Sequence, residues 1–224
     1  MIRMTIQGKT VSIFPGEKPG SPAIYLNTVS GEERQIWAEL QKFPLPDFSL
    51  ITIAELDWNR DLVPWDHPPI FKNGPACTGG ADNYLDLLTN DILPAAETTL
   101  PGPPCWRGLA GYSLAGLFAL YALYGTDVFS RAASVSGSLW FPGIKEYLTS
   151  RNAKRLPDCL YFSLGDKESK TRNPVLKAVR ENTEALYAYY QGKGIHTVFQ
   201  LNAGNHYDHA AQRTATGIAW LLAQ

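Results

Sequence analysis

The chain has 224 residues, more than a usual domain of ~100 to 150 residues but too few for two ordinary cores, so one domain over residues 1–224 is expected. Hydrophobic residues at 45% against 18% charged exclude a disordered chain. Twenty basic and 21 acidic side chains leave a formal charge of -1, which removes the electrostatic case for a nucleic-acid or anionic-membrane partner.

Taken in chain order, Met4–Phe14, Pro22–Thr28 and Phe48–Leu56 are β-branched and aromatic runs between turn residues, and they predict strands. The opening MIRMTIQGKTVSIF alternates polar and apolar residues without the apolar stretch of a secretory signal. No run approaches the ~20 apolar residues of a membrane span. Cys77, Cys105 and Cys159 form neither a disulfide framework nor a CxxC metal pattern, so a cytoplasmic location with reduced, buried thiols is expected.

The loop Asp57–Gly80 is dense in proline, glycine and aromatic residues, and ordered loops of this length tend to carry function. After it, Tyr84, Leu85, Leu87, Leu88 and Ile92 share one helical face, with Pro94 as the predicted stop. Strands are predicted at Trp106–Ala110, Ala132–Ser136, Cys159–Leu164 and Thr197–Leu201. Leu114–Tyr124, apolar all round, predicts a buried helix. Asn173-Pro174 predicts an N-cap and first turn of a helix running to Gly192 or Gly194, and Ala210–Ala223 predicts the last helix. Strands alternating with helices require parallel pairing through right-handed crossovers, whereas the helix-poor first fifty residues predict an antiparallel edge. The class is α/β, with a mostly parallel central sheet and helices on both faces.

The most informative segment is CWRGLAGYSLAGLFALYAL. A strand enters Gly111-Tyr112-Ser113-Leu114-Ala115-Gly116 and leaves as an apolar helix, the setting in which a G-x-S-x-G turn exposes a nucleophilic serine. Ala115 departs from the second glycine but is small. Ser113 gains from the helix dipole, and the Leu114 N–H points toward a developing oxyanion. As a bare turn with a capping serine the pentapeptide would mean little; the strand before it and the buried helix after it favour the nucleophile.

A serine needs a base to attack an ester at neutral pH. His206, in NAGNHYDHAAQ between the last strand and the last helix, stands where the chain order serine, acid, histidine of α/β-hydrolases puts it. His209 reads as a capping or solvated residue, and the pair offers no metal-ligand set. The acid is expected after Cys159–Leu164, in Gly165-Asp166-Lys167-Glu168. Glu168 is favoured and Asp166 reads as a turn residue, while a Ser-His dyad without an acid stays open. A second oxyanion donor is expected from DWNRDLVPW, as the N–H of Trp58 or Asn59. Arg60 either binds a substrate oxygen or pairs with Asp57, Asp61 or Asp66. Trp58, Trp65, Trp140 and Phe141 are pocket or core residues, with Trp140 the stronger pocket candidate.

GYSLAGLFALYAL, SVSGSLWF, the GDKE turn and GNH ahead of the last helix together resemble the putative esterase family of α/β-hydrolases, which includes esterase D and the enterochelin and salmochelin siderophore esterases. The resemblance runs from about Phe48 to the C-terminus. It implies a serine esterase with Ser113 as nucleophile and His206 as base, a variable or dispensable acid, and an arginine-bearing loop, here with Arg60, near the oxyanion site. A small-molecule ester would be the partner, and no cofactor or metal is called for. An acyltransferase with the same groups, or a binding protein on a hydrolase scaffold, are the alternatives. The stretch Gly137–Leu156 is too short for a separate lid domain, so a comparatively open site is expected.

Overall fold

The computed structural model describes residues 1–70 and 73–224; positions 71 and 72 of the Asp57–Gly80 loop lie outside the described residues. The chain opens with β1 (Ile2–Ile6) and β2 (Lys9–Phe14), then β3 (Ala23–Asn27), α1 (Glu33–Leu40) and β4 (Ser49–Ala54). Next come a single turn, α2 (Trp58–Asp61), and a small ribbon, β5 (Asp66–His67) with β6 (Cys77–Thr78). A helical segment follows as α3 (Ala81–Leu87), a π turn at Leu88–Ile92, and α4 (Leu93–Glu97). The second half alternates β7 (Arg107–Tyr112), α5 (Leu114–Gly125), β8 (Arg131–Val135), α6 (Ile144–Ser150) and β9 (Cys159–Gly165). It ends with α7 (Pro174–Lys177), α8 (Val179–Gly192), β10 (His196–Asn202) and α9 (Ala210–Leu222).

Eight strands form one sheet in the order β1-β2-β4-β3-β7-β8-β9-β10. The β1–β2 and β2–β4 pairs are antiparallel and all others in this sheet are parallel. Successive strand residues point to opposite faces, and the core divides accordingly. Tyr25, Ile51, Leu109 and Phe162 pack with α3, α5 and α8, whereas Ile24, Leu50, Ala110 and Tyr161 pack with α1 and α9.

Several expectations change. Met4–Phe14 is a hairpin rather than one strand, because Gln7 and Gly8 both take positive φ (45° and 78°) in the two-residue turn. The antiparallel edge is limited to β1 and β2. The third strand lies inside the sheet, parallel to β4 and β7, and α1 stands in the region expected to be poor in helix, with Ile36 and Leu40 buried four residues apart. Pro94 does not stop its helix. The π turn re-registers the backbone so that proline falls in the first turn of α4, where a missing N–H costs little. Asn173 does cap through its side chain to Val175 and Leu176, but that helix breaks at Ala178 into α7 and α8. Between β8 and β9 the only helix is α6.

The turn α2 is held by a buried ion pair. Lys9 Nζ on β2 bonds Asp61, whose carboxylate also accepts the Asp57 N–H at 3.0 Å and Arg60 Nε at 2.8 Å. Burial alone would raise the Asp61 carboxyl, but the hydrogen bonds from Arg60, Lys9 and the Asp57 amide outweigh it and hold it below its ordinary value. Replacing Lys9 with methionine removes the buried cation and leaves Asp61 the exposed Arg60 and the Asp57 amide, so Lys9→Met should lower unfolding free energy by about 1.5 to 3 kcal/mol. Urea denaturation checks this; a midpoint equal to wild type would show that the pair holds nothing.

Candidate active site

The strand β7 ends at Tyr112 and α5 begins at Leu114, so Ser113 alone makes the turn. Its φ of 58° and ψ of -124° lie where side-chain-bearing residues cost about 1 to 3 kcal/mol. Four hydrogen bonds fix it there. Its N–H donates to Val135 O, and its carbonyl accepts from Gly116, Leu117 and Ser138. Gly111 must be glycine, since a Cβ there would come within 2.3 Å of the Ala115 carbonyl. With that space empty, Ala115 is accommodated.

His206 Nε2 lies 3.0 Å from Ser113 Oγ, and its Nδ1 lies 2.7 Å from Glu168 Oε2. The three side chains come from the loops after β7, β9 and β10. Asp166 does not face His206; it accepts the Gly204 N–H at 2.7 Å. That bond pins the turn in which Gly204 takes φ of 108°. His209 is exposed at the start of α9, and His196 opens β10.

Glu168 is nearly buried, and three groups converge on it. The Gly165 N–H donates to Oε1 at 2.6 Å, Arg213 Nη1 lies 3.4 Å from the same oxygen, and His206 takes Oε2. Burial pushes the carboxyl up, but the His206 hydrogen bond, the Gly165 amide, the imidazole charge and the Ser136 hydroxyl together hold it below the ordinary range.

Arg213 went unforeseen in the sequence. With its side chain only 4% exposed, it also donates to the carbonyls of Asn205 (3.0 Å) and Ala203 (2.9 Å). It thereby ties the acid turn to the histidine loop. The available signal was an arginine on the otherwise apolar stripe of the last helix. Two further groups were missed. The Tyr112 hydroxyl donates to the His206 carbonyl at 2.6 Å, and Ser138 Oγ lies 3.2 Å from Ser113 Oγ.

The Leu114 amide, at the start of α5, donates to no described residue, and neither do those of Trp58 and Asn59 in the first turn of α2. Leu114 and Asn59 share with Ser113 the wall of a cavity of about 680 Å³, completed by Trp140, Leu176 and Val179 among others. Trp58 lines a smaller cavity of about 340 Å³ on which Ser113 and His206 also border. Arg60 lines neither; it turns to Asp61 and, at 4.0 Å, Asp57. Phe141 is core, and Trp65 packs on it while donating Nε1–H to Pro142 O. Among the described residues no three His, Cys, Asp or Glu side chains gather into a group suited to a metal ion. No helix among them is long and apolar enough to cross a membrane.

A family model described as "Putative esterase" matches residues 32–214. The "Uncharacterized protein YbbA" of Bacillus subtilis (strain 168) is 23% identical over 221 residues, covering 93% of this chain and 88% of that protein. Siderophore hydrolase EstA from Aspergillus nidulans has the same fold with a TM-score of 0.78 at 19% identity, over 99% of this chain and 93% of that one. The BES protein from Bacillus cereus gives 0.73 at 18%, over 99% and 94%. The enterobactin esterase FES from Shigella flexneri gives 0.69 at 20%, over 95% of this chain but 55% of that one. These likenesses carry the α/β-hydrolase fold.

The depressed Glu168 carboxyl has a pH signature. Its contribution is fully present above the unfolded carboxyl value of about 4.3 and is lost as pH falls through the lower folded value. The difference in unfolding free energy between wild type and Glu168→Gln should therefore shrink as pH falls from about 5.5 toward about 3. Denaturation at a series of pH values measures it, and a gap that widens in acid would contradict the sign.

Proposed function

The chain belongs to the "Putative esterase" family and is a carboxylic-ester hydrolase, and we propose that it works through an acyl-enzyme on Ser113. The observation that carries this reading is the continuous hydrogen-bonded line from Ser113 Oγ through His206 to Glu168, all three lining the larger cavity.

In this mechanism His206 Nε2 accepts the serine proton as Oγ attacks the ester carbonyl. Glu168 holds the Nδ1–H tautomer and stabilises the imidazolium. The amide of Leu114 and that of Asn59 or Trp58 receive the negative charge on the carbonyl oxygen, aided by the N-terminus of α5. Collapse expels the alcohol with the proton from His206. Water, deprotonated by the same imidazole, then releases the acid. Every group comes from the chain itself, with Arg213 positioning Glu168 rather than touching substrate.

The substrate is a small-molecule ester. A cavity of about 680 Å³ falls within the ~300 to 1,000 Å³ range of small-ligand sites. Its apolar wall of Trp140, Leu176 and Val179 suits an aryl or acyl group, and the siderophore esterases that share the fold make a siderophore-type ester the leading class. We read residues 1–224 as one domain, supported by a single sheet that draws strands from Ile2 to Asn202. We assign the chain to the cytoplasm, a reading supported by three unpaired cysteines, one of them exposed.

Ser113→Ala should lower kcat for a p-nitrophenyl acyl ester by at least ~10³-fold while leaving the fold intact. A fluorophosphonate probe should label Ser113 in wild type and not in His206→Ala. Retained turnover in the serine variant, or labelling elsewhere, would remove the basis for the acyl-enzyme.

A further inference from the structure

An ester has two arms, and the site has two cavities. Ser113, His206 and Tyr207 form a ridge that borders both the cavity of about 680 Å³ and the one of about 340 Å³. The smaller lies between the end of β3, the start of α1 and the first turn of α9. Its walls include Leu26, Val29, Ile36 and Ala211, and among the described residues Glu32 is its only Asp, Glu, Lys or Arg. The Glu32 carboxylate accepts the Thr28 hydroxyl at 3.0 Å through Oε2. Among the described residues it forms no ion pair, and Arg3 pairs with the next residue, Glu33. The larger cavity differs in character, since Lys167 and Lys170 stand on its wall beside the acid turn.

We propose that the smaller cavity is a subsite for the compact arm of the ester, and that Glu32 makes it select a terminal amine or hydroxyl over a carboxylate. The proposal rests on the reading of Ser113 as the attacking residue and extends it to the other side of the ridge. Its volume sits at the low end of the range for ligand sites, so it takes a short arm, while the aryl or larger arm occupies the other cavity. A cation or hydroxyl donor at the end of a short chain meets there the exposed Glu32 carboxylate, which has no ion-pair partner among the described residues. An anion meets the same charge, which is how a like-charge contact rejects a competing ligand.

The test uses the full chain carrying Ser113→Ala, which is meant to leave the ester uncleaved, and titration calorimetry. Two esters share an aryl arm and differ only in the end of a four-carbon arm, a primary amine in one and a carboxylate in the other. The pair is made twice, with the short arm on the acyl side and on the alcohol side. In at least one orientation the amine ester should bind about tenfold more tightly than its twin. Adding Glu32→Lys should shift that ratio at least fivefold toward the carboxylate. A second variant, Ala211→Phe, fills the cavity and should weaken the amine ester at least fivefold more than an analogue whose short arm is a methyl group. A ratio that moves less than fivefold with Glu32→Lys in both orientations, or equal weakening of both esters by Ala211→Phe, overturns the proposal. Binding ratios do not depend on turnover, so loss of the acyl-enzyme reading and loss of this subsite are separate results.

Discussion

Everything at the site hangs on the backbone of Ser113. A serine forced to φ of 58° gives back about 1 to 3 kcal/mol unless its surroundings enforce it. Here the helix that follows does so. Ten of the twelve residues of α5 are buried, and each large side chain among them, such as Leu117, Phe118 or Leu120, contributes roughly 1.5 to 3 kcal/mol by leaving water. Moving the turn to a relaxed conformation would rotate that helix out of its seat between β7, β8 and the helices around it. The strain is small beside the burial that maintains it, so the serine stays raised above the sheet edge.

The partners of Ser113 are reached by the same logic of strand ends. In a parallel sheet the loops after adjacent strands meet at one edge. The β9 and β10 loops each carry one member of the hydrogen-bonded line, and the buried Arg213 sits beneath both. Its guanidinium faces one carboxylate and two carbonyls at once. A lysine would supply a point charge without the fork that spans these three acceptors.

The meeting of Ser113 with His206 and Glu168 was legible because the signal at the serine is local. A strand, a small residue, a serine and an apolar helix lie within twenty residues, and chain order then points to the other two loops. What sequence could not convey was anything decided by distant segments. The position of β3 between β4 and β7 depends on which strands are neighbours in the finished sheet. The helix α1 was hidden because eight residues with only two buried apolar positions, Ile36 and Leu40, make a short, weak stripe. Arg60 illustrates the converse: the arginine of the loop was visible, but its direction was settled by Asp61, whose carboxylate is itself fixed by Lys9 from another strand. The hairpin at Gln7-Gly8 lacked the Asn-Gly pair that usually announces such a turn.

Two buried cations, Lys9 and Arg213, share a logic that stability alone does not explain. A buried ion pair recovers little net energy, since desolvation consumes most of the attraction. An apolar pair of similar volume would stabilise the fold as well. Such a pair would not, however, orient a backbone turn. Lys9 fixes Asp61, which in turn holds the Asp57 N–H and leaves the next two amides, those of Trp58 and Asn59, without a described acceptor. Arg213 fixes the carbonyls of Ala203 and Asn205 on either side of Gly204 and meets Glu168 from below. Each cation thus converts a costly burial into the direction of a loop that borders the ridge of Ser113. In the proposed mechanism that is the work a site needs from its scaffold: polar groups aimed before the substrate arrives, so that no reorganisation is required when charge develops.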